Sequence, residues 1–589
     1  MMSNNDSAIS TRSEPTDVVN FKILLNGNAI NGEYKIVSLY ATKSFNKISS
    51  AKLVIADGDP AQQDFAVSSK EDGLVPGSEI EIAIGYHSKS ATIFKGIIVK
   101  HTLRAVKGTH SSLTIEAKDK AVKLTKGRKS VGFVDKTDTD IIESIAKKCG
   151  YSQSDLDFEA TTLQHKEMLQ YNSLDWDFIL SRAEMNGMLV LTEENKLIIK
   201  SPDTNQKEVK EIVYGIDILE FESEIDANDQ LKQVKSHAWN YKNQELTDSD
   251  EASIKFKESG NLKAEDLANA VGAGESNLFH SGNLSPEELK AWSNAQLLKS
   301  RLAKTIGIIT LKGLTEIKVG QVIKLTGFSK RFNGNVLVTG IRHSYAETIW
   351  KTDLQFGLPE EWFYNQHNII EKPAAGMIPG INGLQIGIVA QLENDPENED
   401  RVKIKLPLVN MNDGVWARIA SLDAGKDRGA FFRPEINDEV VVGFFNDDPR
   451  FPVLLGMLNS NAKPAPVKAA DANNEKGFVT RSKMKLMFDD DKKIITLETP
   501  KGKKIEINDD GDSIILSDQN QNKISMTSDG ITIESVKNIS IKTSGGDVKV
   551  EGLNIENKAN VKFSAQGSAN AELKSSGPTV IKGAIVNIN

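Results

Sequence analysis

Gly530-Ile-Thr-Ile-Glu534, Asn538-Ile-Ser-Ile-Lys542 and Asp547-Val-Lys-Val-Glu551 belong to a tail, Lys483 to Asn589, built from such units throughout. Upstream stand Ile505-Glu-Ile507, Ile514-Ile-Leu516 and Lys523-Ile-Ser-Met526. Downstream follow Asn554-Ile-Glu-Asn, Val561-Lys-Phe563, Ala569-Asn-Ala-Glu-Leu573, Thr579-Val-Ile and Ile585-Val-Asn-Ile588. Each unit alternates apolar and polar residues with period two, and Gly, Asn, Asp or Ser separates it from the next. That alternation predicts strands with one dry and one wet face. From Ile531 onward the units recur about every eight residues, a short fixed period of the kind seen in β-solenoids.

Such units cannot bury their dry faces alone. One chain offers only small alternating Ile, Val and Ala, and Phe563 is the sole aromatic after Phe488. Three copies wound together would enclose a narrow apolar shaft and turn Lys, Glu, Asp, Ser and Asn to water. The tail therefore reads as an intertwined, trimeric β-prism. An ordinary β-sandwich, which would want larger core residues, and a single-chain solenoid are the alternatives.

The chain has 589 residues, 39% hydrophobic and 26% charged, enough for about four domains. Its net charge of −9 argues against nucleic acid as the main partner, because phosphate binding needs a basic face. The single cysteine, Cys149, excludes an internal disulfide and reads as a buried thiol. Met1 to Asp17 is polar, with no apolar stretch of signal-peptide length, and is expected to be disordered. No run of about eighteen apolar residues occurs. Synthesis and assembly in the cytoplasm are the expectation, with exit by some route other than general secretion.

After Asp17 come short strands with turn signals between them: Phe21 to Leu25, Tyr34 to Val37, Lys52 to Ile55, Glu79 to Ile84, Thr92 to Val99 and Ser112 to Ala117. The segments Asn46-Lys-Ile-Ser-Ser-Ala-Lys-Leu-Val-Ile-Ala-Asp-Gly58, Pro76-Gly-Ser-Glu-Ile-Glu-Ile82, Gly85-Tyr86 and Ile93-Phe-Lys-Gly-Ile97 resemble the first barrel of the VgrG proteins. Those are the spikes of type VI secretion and related contractile injection systems; the late-control D proteins of contractile phages are similar here. Asp138 to Ala146 reads as a helix. A second helix, capped by Ser173 or Asp175, presents Trp176, Ile179, Leu180 and Ala183 on one face and stops at Gly187. Its Glu-x-x-Gly-Met ending before a strand at Leu189 to Leu191 again resembles VgrG. A sugar-binding role for Trp176 and its Asp neighbours is the weaker reading beside a core-facing helix.

A second barrel begins near Glu211. A polar, helix-prone insertion, about 247–303, interrupts it, with a helix from Glu287 to Leu302 capped by Ser285-Pro286. It resumes at Thr305 to Leu311 and Gly320 to Leu325 and closes with Asn335 to Val338 and Ile341 to Tyr345. Then comes the densest motif: Arg401-Val-Lys-Ile-Lys-Leu-Pro407, Trp416-Ala-Arg, Ala424-Gly425, Pro434-Glu435, Asp438-Glu439-Val-Val-Val-Gly-Phe and Pro452-Val-Leu-Leu-Gly456. Five short strands in about seventy residues suit an OB barrel. The order closely resembles the OB domain of VgrG and phage hubs, and marks Arg401, Pro407, Trp416, Gly425, Pro434, Asp438, Glu439 and Gly456 as its structural motif. Ile436-Asn437 replaces the family's usual Val-Gly, a departure expected to alter only a turn.

No catalytic site, cofactor site or metal site is expected. The eight His residues all precede the OB domain and form no close His/Cys set. Neither a Gly-x-Ser-x-Gly elbow nor a phosphate loop occurs. Asp489 to Asp491 and Asp509 to Asp512 read as strand turns rather than Ca²⁺ ligands. The barrel aromatics Trp416, Phe431, Phe432, Phe444 and Phe445 stand among nine acidic residues, against single-stranded nucleic acid. Asn459 to Lys476 leaves no room for a lysozyme domain between OB and needle, and no toxin domain is expected after it.

The resemblance covers body, OB barrel and tail, and implies a mainly β homotrimer in which hub barrels lead through an OB ring into a needle. The expected divisions are 1–17 disordered, 18–125 first hub barrel, 126–205 helical and mixed connection, 206–375 second hub barrel with insertion 247–303, 381–458 OB domain, 459–480 linker and 481–589 needle. The implied role is the central spike of a contractile injection machine, not an enzyme. Its implied partners are the inner tube protein, baseplate proteins, a PAAR-like tip protein docked on Ile585, Val586, Ile588 and Asn589, and effector cargo, with transient contact with a target membrane. Firing would release it outside the producing cell or into the target. The alternative is a β-helical adhesin or carbohydrate-active tail-fibre protein, which would want exposed aromatics and paired carboxylates along the tail.

Overall fold

The computed structural model describes residues 18–588 apart from 70–73, 88, 108–110, 366–368, 370–371 and 411–412. The reading of 1–17 as disordered therefore lies outside the described residues. The chain divides into two compact units, 1–383 with 444–451, and 384–443 with 452–589.

The strands expected in two separate barrels of the first unit are joined in one thirteen-stranded sheet. The joint is the antiparallel pairing of Ile36–Ser44 with Gly334–Ala346, in which Ala41 lies opposite His343 and Tyr40 opposite Ser344. The sequence predicts two strands, Asn335 to Val338 and Ile341 to Tyr345, where the structure has Gly334–Ala346. That is one strand, with an irregularity between Val338 and Gly340 in its pairing to Ile349–Phe356. Its first half pairs with Val322–Thr326 and its second half with Ile36–Ser44, which lets one strand serve both sets. Two hydrophobic cores lie along this sheet. One contains Ile23, Leu53, Ile82, Phe94 and Trp350; the other contains Ile309, Ile323, Val338, Leu354 and Phe356. Gly313 packs so tightly against the Trp350 indole that a Cβ would lie 1.9 Å from it, which excludes every other residue there.

A third core joins helix α1 (Asp138–Lys148) to helix α2 (Asp175–Met185) and includes Ile141, Ile145, Trp176, Ile179, Leu180 and Ala183. Trp176 is thus a core residue. Thr137 caps α1 in a reciprocal box with Asp140. The cap expected for α2 is corrected: the N-cap is Leu174, with no side-chain bond. Asp175 instead turns inward, where it accepts from Lys129 and from Gln170 Nε2 at 3.0 Å, with Cys149 Sγ at 3.6 Å. Cys149 is half-buried, and burial raises its thiol pKa.

The insertion is mixed rather than helical. It holds helix α3 (Ala264–Ala270) and helix α4 (Pro286–Ala303), with Ser285 accepting from Glu288 N at 3.2 Å. Between them Glu275–His280 pairs parallel with Gln233–Asn240, which also pairs with Glu245–Asp248. The strand Glu275-Ser-Asn-Leu-Phe-His is mostly polar and gains its conformation from a partner some forty residues away, so its own pattern does not declare it.

In the second unit, strands Gln385–Gln391, Val402–Lys405, Val415–Ile419, Pro452–Met457 and Glu439–Phe444 close into a five-stranded barrel. Val389, Val402, Ile404, Ala417, Val440, Val442 and Leu454 fill it. The tail opens as a seven-stranded antiparallel meander from Glu475 to Glu534. Its first strand, Glu475–Val479, occupies part of the stretch read as linker. From 535 to 588 a single chain forms no strand, and the apolar residues there stand exposed. These short alternating units have no neighbour within one chain to receive their backbone bonds or cover their side chains.

Candidate trimer-forming face and barrel motif

The meander's register aligns its apolar residues in two unbroken rows. Phe478, Leu486, Leu497, Ile505, Leu516, Ile524 and Ile533 face one another strand by strand; beside them run Phe488, Ile495, Ile507, Ile514, Met526 and Ile531. Both rows lie on the same side of the sheet, because their members are two residues apart on every strand. In one chain this side is open: from Ile495 to Ile533 its exposed members show between 38% and 68% of their surface. The opposite side carries Lys485, Glu498, Lys504 and Glu506, with Lys485 and Glu498 paired at 3.1 Å. Covering a Leu or Ile fully is worth roughly 1.5–3 kcal/mol, so two complete rows are a strong drive toward association.

The eight barrel-motif residues do not converge on a cleft; they shape turns and strand ends. Arg401 is clasped by Asp395, with Nη2 to Oδ1 at 2.6 Å, and by Glu397 at 3.1 Å. Asp395 also accepts from the backbone N–H groups of Glu397, Glu399 and Arg401. The guanidinium first, then these amides, hold its carboxyl far below the usual range. Pro407 lies exposed just past its strand, and Trp416 is half-buried with Lys403 Nζ 5.6 Å from its ring. Gly425 sits against Arg428, whose guanidinium a Cβ would meet at 2.8 Å. Pro434 is buried. Asp438 accepts from Glu435 N and from Lys463 Nζ, each at 2.9 Å. Glu439 opens one barrel strand and Gly456 lies near the end of another.

Asn437 has φ +69° in the turn between Pro434 and Glu439. That is the left-handed region where glycine is usual and Asn is the best-tolerated substitute, so the departure from Val-Gly leaves the turn's shape intact. One contact had no signal in the sequence: Phe432 of the barrel stacks on Phe478 of the first tail strand, centroids 5.2 Å apart and planes 10° apart. The first of the two apolar rows therefore continues onto the barrel.

The acidic stretches of the tail make local turn bonds. Asp489 Oδ1 accepts from Lys492 N at 3.0 Å, and Asn508 Oδ1 from Gly511 N at 2.7 Å. Among the described residues, no three His, Cys, Asp or Glu side chains gather as a metal site would require. No helix among them is long and apolar enough to cross a membrane. Ile585, Val586 and Ile588 are exposed; Asn589 lies outside the described residues.

Three family models match this chain. Residues 15–347, more than half of it, match the Alg8 N-terminal domain. Residues 385–458 match the type VI secretion system/phage-baseplate injector OB domain, and residues 494–557 the phage baseplate V C-terminal trimerisation domain. The chain belongs to the Alg8 N-terminal domain family, and its barrel and tail match domains of type VI secretion and phage-baseplate injectors. Two curated relatives are type VI secretion system spike proteins of Pseudomonas aeruginosa. VgrG1b is 20% identical over 442 residues, 70% of this chain and 57% of that protein. VgrG1a is 23% identical over 190 residues, 30% of this chain and 29% of that one. The chain thus spans about half, or less, of the length of these relatives. A solved structure, the 43 kDa tail protein of prophage MuSo2 from Shewanella oneidensis, aligns with a TM-score of 0.44 and 10% identity, over 58% of this chain and 99% of that one. The trimerisation match begins at Ile494 and so covers most of the two apolar rows.

Proposed function

We propose that three copies of this chain form the central spike and hub of a contractile injection machine. The observation that carries the reading is the pair of apolar rows on one face of the tail sheet, left open by a single chain and lying largely within the match to a trimerisation domain. Three such faces turned inward make a dry shaft. The alternating charged side turns to water, and the short units from 535 to 588 gain partners from the other two copies. Paired backbone on every side gives such a shaft resistance to buckling, which a puncturing device needs.

In this reading the body caps the inner tube and meets the baseplate, and sheath contraction drives the spike through the target envelope. The protein acts by mechanics and not by catalysis. Assembly takes place in the producing cell, and firing carries the spike out of it. Ile585, Val586 and Ile588 of three chains offer an exposed apolar surface to a PAAR-like tip protein, and the hub carries effectors as further cargo. Light scattering of the purified protein tests the core of the proposal: the expected mass is about three times 64.6 kDa, and a stable monomer would overturn it. Co-purification with and without deletion of Gly583 to Asn589 tests the tip; a cap retained after the deletion counts against this docking surface.

A further inference from the structure

The small sheet that the insertion completes presents a surface that the trimer reading does not use. Its three strands run in the order Glu245–Asp248, Gln233–Asn240, Glu275–His280. Val234 packs with Leu297 of α4, and Ser236 donates to the Leu289 carbonyl at 2.8 Å. Alternation then turns His237 and Trp239 outward. The register sets Leu246 beside Trp239 and Phe279 beside His237. The His237 ring stacks on Phe279 with centroids 4.9 Å apart, and is itself held by Asp248 at 2.7 Å and Asn277 at 2.9 Å. An aromatic platform is thus fixed in place while Phe279 remains 70% exposed.

Glu275–His280 is also an edge strand. Among the described residues its backbone ladder runs to Gln233–Ala238 alone. Exposed edges are usually blunted by Lys, Pro, a bulge or a covering element. This one has no Lys and no Pro, its register is unbroken, and it carries a bare Phe. Glu275, Asn277 and Phe279 stand in one outward row. The local charge is acidic: Asp248, Asp250, Glu251 and Glu275 stand against Lys235 and Lys290, of which Glu251 already pairs the first at 3.4 Å and Asp250 the second at 3.9 Å.

We propose that Glu275–His280 takes up an extended segment of a partner protein as a fourth strand, one carrying a basic residue opposite Glu275, a small polar residue opposite Asn277 and an aromatic or β-branched residue opposite Phe279. Backbone bonds to the open edge supply affinity, and the alternate side chains supply selectivity. The partner is a different protein, recognised by basic and apolar residues four apart in an extended stretch.

The test uses the full-length protein and a fluorescein-labelled, end-capped heptapeptide, Thr-Lys-Thr-Thr-Thr-Phe-Thr, with its sequence reversal for the opposite strand direction. Anisotropy should show saturable binding of one of the two. N-methylation of alternate peptide amides should abolish it, because a strand without those donors cannot join a ladder. Glu in place of the peptide Lys should weaken binding about tenfold, and Glu275→Lys in the protein should reverse that preference. Phe279→Ser should weaken both. Absence of saturable binding, or binding indifferent to N-methylation, would overturn the proposal. So would a change in particle mass on Phe279→Ser, which would make this face a contact between copies.

Discussion

Asp119 and His343 are both buried in the body, and burial disfavours the charged form of each. Burial raises Asp119 to about 6, against the lowering effect of hydrogen bonds from the Ala121 and Asn195 amides and of the Lys43 and Lys120 charges. Between about pH 4 and 6 the folded protein therefore holds a proton that the unfolded chain has lost. The contribution is full below about pH 4 and falls as pH rises through 6, by at most about 2–3 kcal/mol. Asp119→Asn removes this slope: the difference in melting temperature between the natural protein and the variant should shift against the natural protein from pH 4 to 6.5, read by circular dichroism. His343 behaves in the opposite sense. Burial, then the Lys43 charge, lowers it to about 3, while the unfolded chain takes up its proton near 6.5. Stability from this group is present above about pH 6.5 and declines as pH falls toward 3. His343→Leu should lessen acid lability between pH 6.5 and 4. Thr352, the neighbour of His343, keeps its bonds to the Leu314 amide at 3.1 Å and carbonyl at 3.2 Å, so the substitution strands no polar group.

At the scale of single elements, the strand register of the tail makes a sharp distinction between adjacent residues. Ile507 and Ile533 belong to the apolar rows, whereas Glu506 and Glu534 face the other way. Ile507→Asp or Ile533→Asp would bury three like charges in one layer of a trimer, at a cost of several kcal/mol per ion even after relaxation. Loss of the trimer is the expected result, measured by light scattering, while Glu506→Gln and Glu534→Gln should change the melting temperature little. Equal damage from both sets would mean the register is wrong by one residue. Local periodicity made these strands legible, as it did α1, the buried face of α2 and the five barrel strands. It was silent where the partner is distant. Nothing local in Ile36–Ser44 says that it pairs with a strand some three hundred residues later, and Glu275–His280 becomes a strand only beside Gln233–Asn240. The stack of Phe432 on Phe478 and the inward turn of Asp175 were equally hidden, since tertiary packing decided both.

At the scale of the whole molecule, the distribution of uncovered apolar surface decides where association resides. The body has its own hydrophobic cores and the barrel has a filled interior, so neither needs a second copy to bury its strongest apolar residues. The tail does: its rows from Leu486 to Ile533 have no cover in one chain, and the units after Glu534 have no ladder. A chain ending at Asn474, just before the first tail strand, should therefore sediment as a folded monomer at concentrations where the full chain sediments as a trimer. Because every apolar layer of the shaft involves all three copies, the full trimer should show no dissociation on dilution to about nanomolar, since the summed burial far exceeds the roughly 12 kcal/mol that a nanomolar complex represents. Analytical ultracentrifugation of both proteins decides it. A truncated chain that still forms trimers would move the association into the body or barrel, and a full chain that falls apart on dilution would show that the rows are covered by something other than copies of themselves.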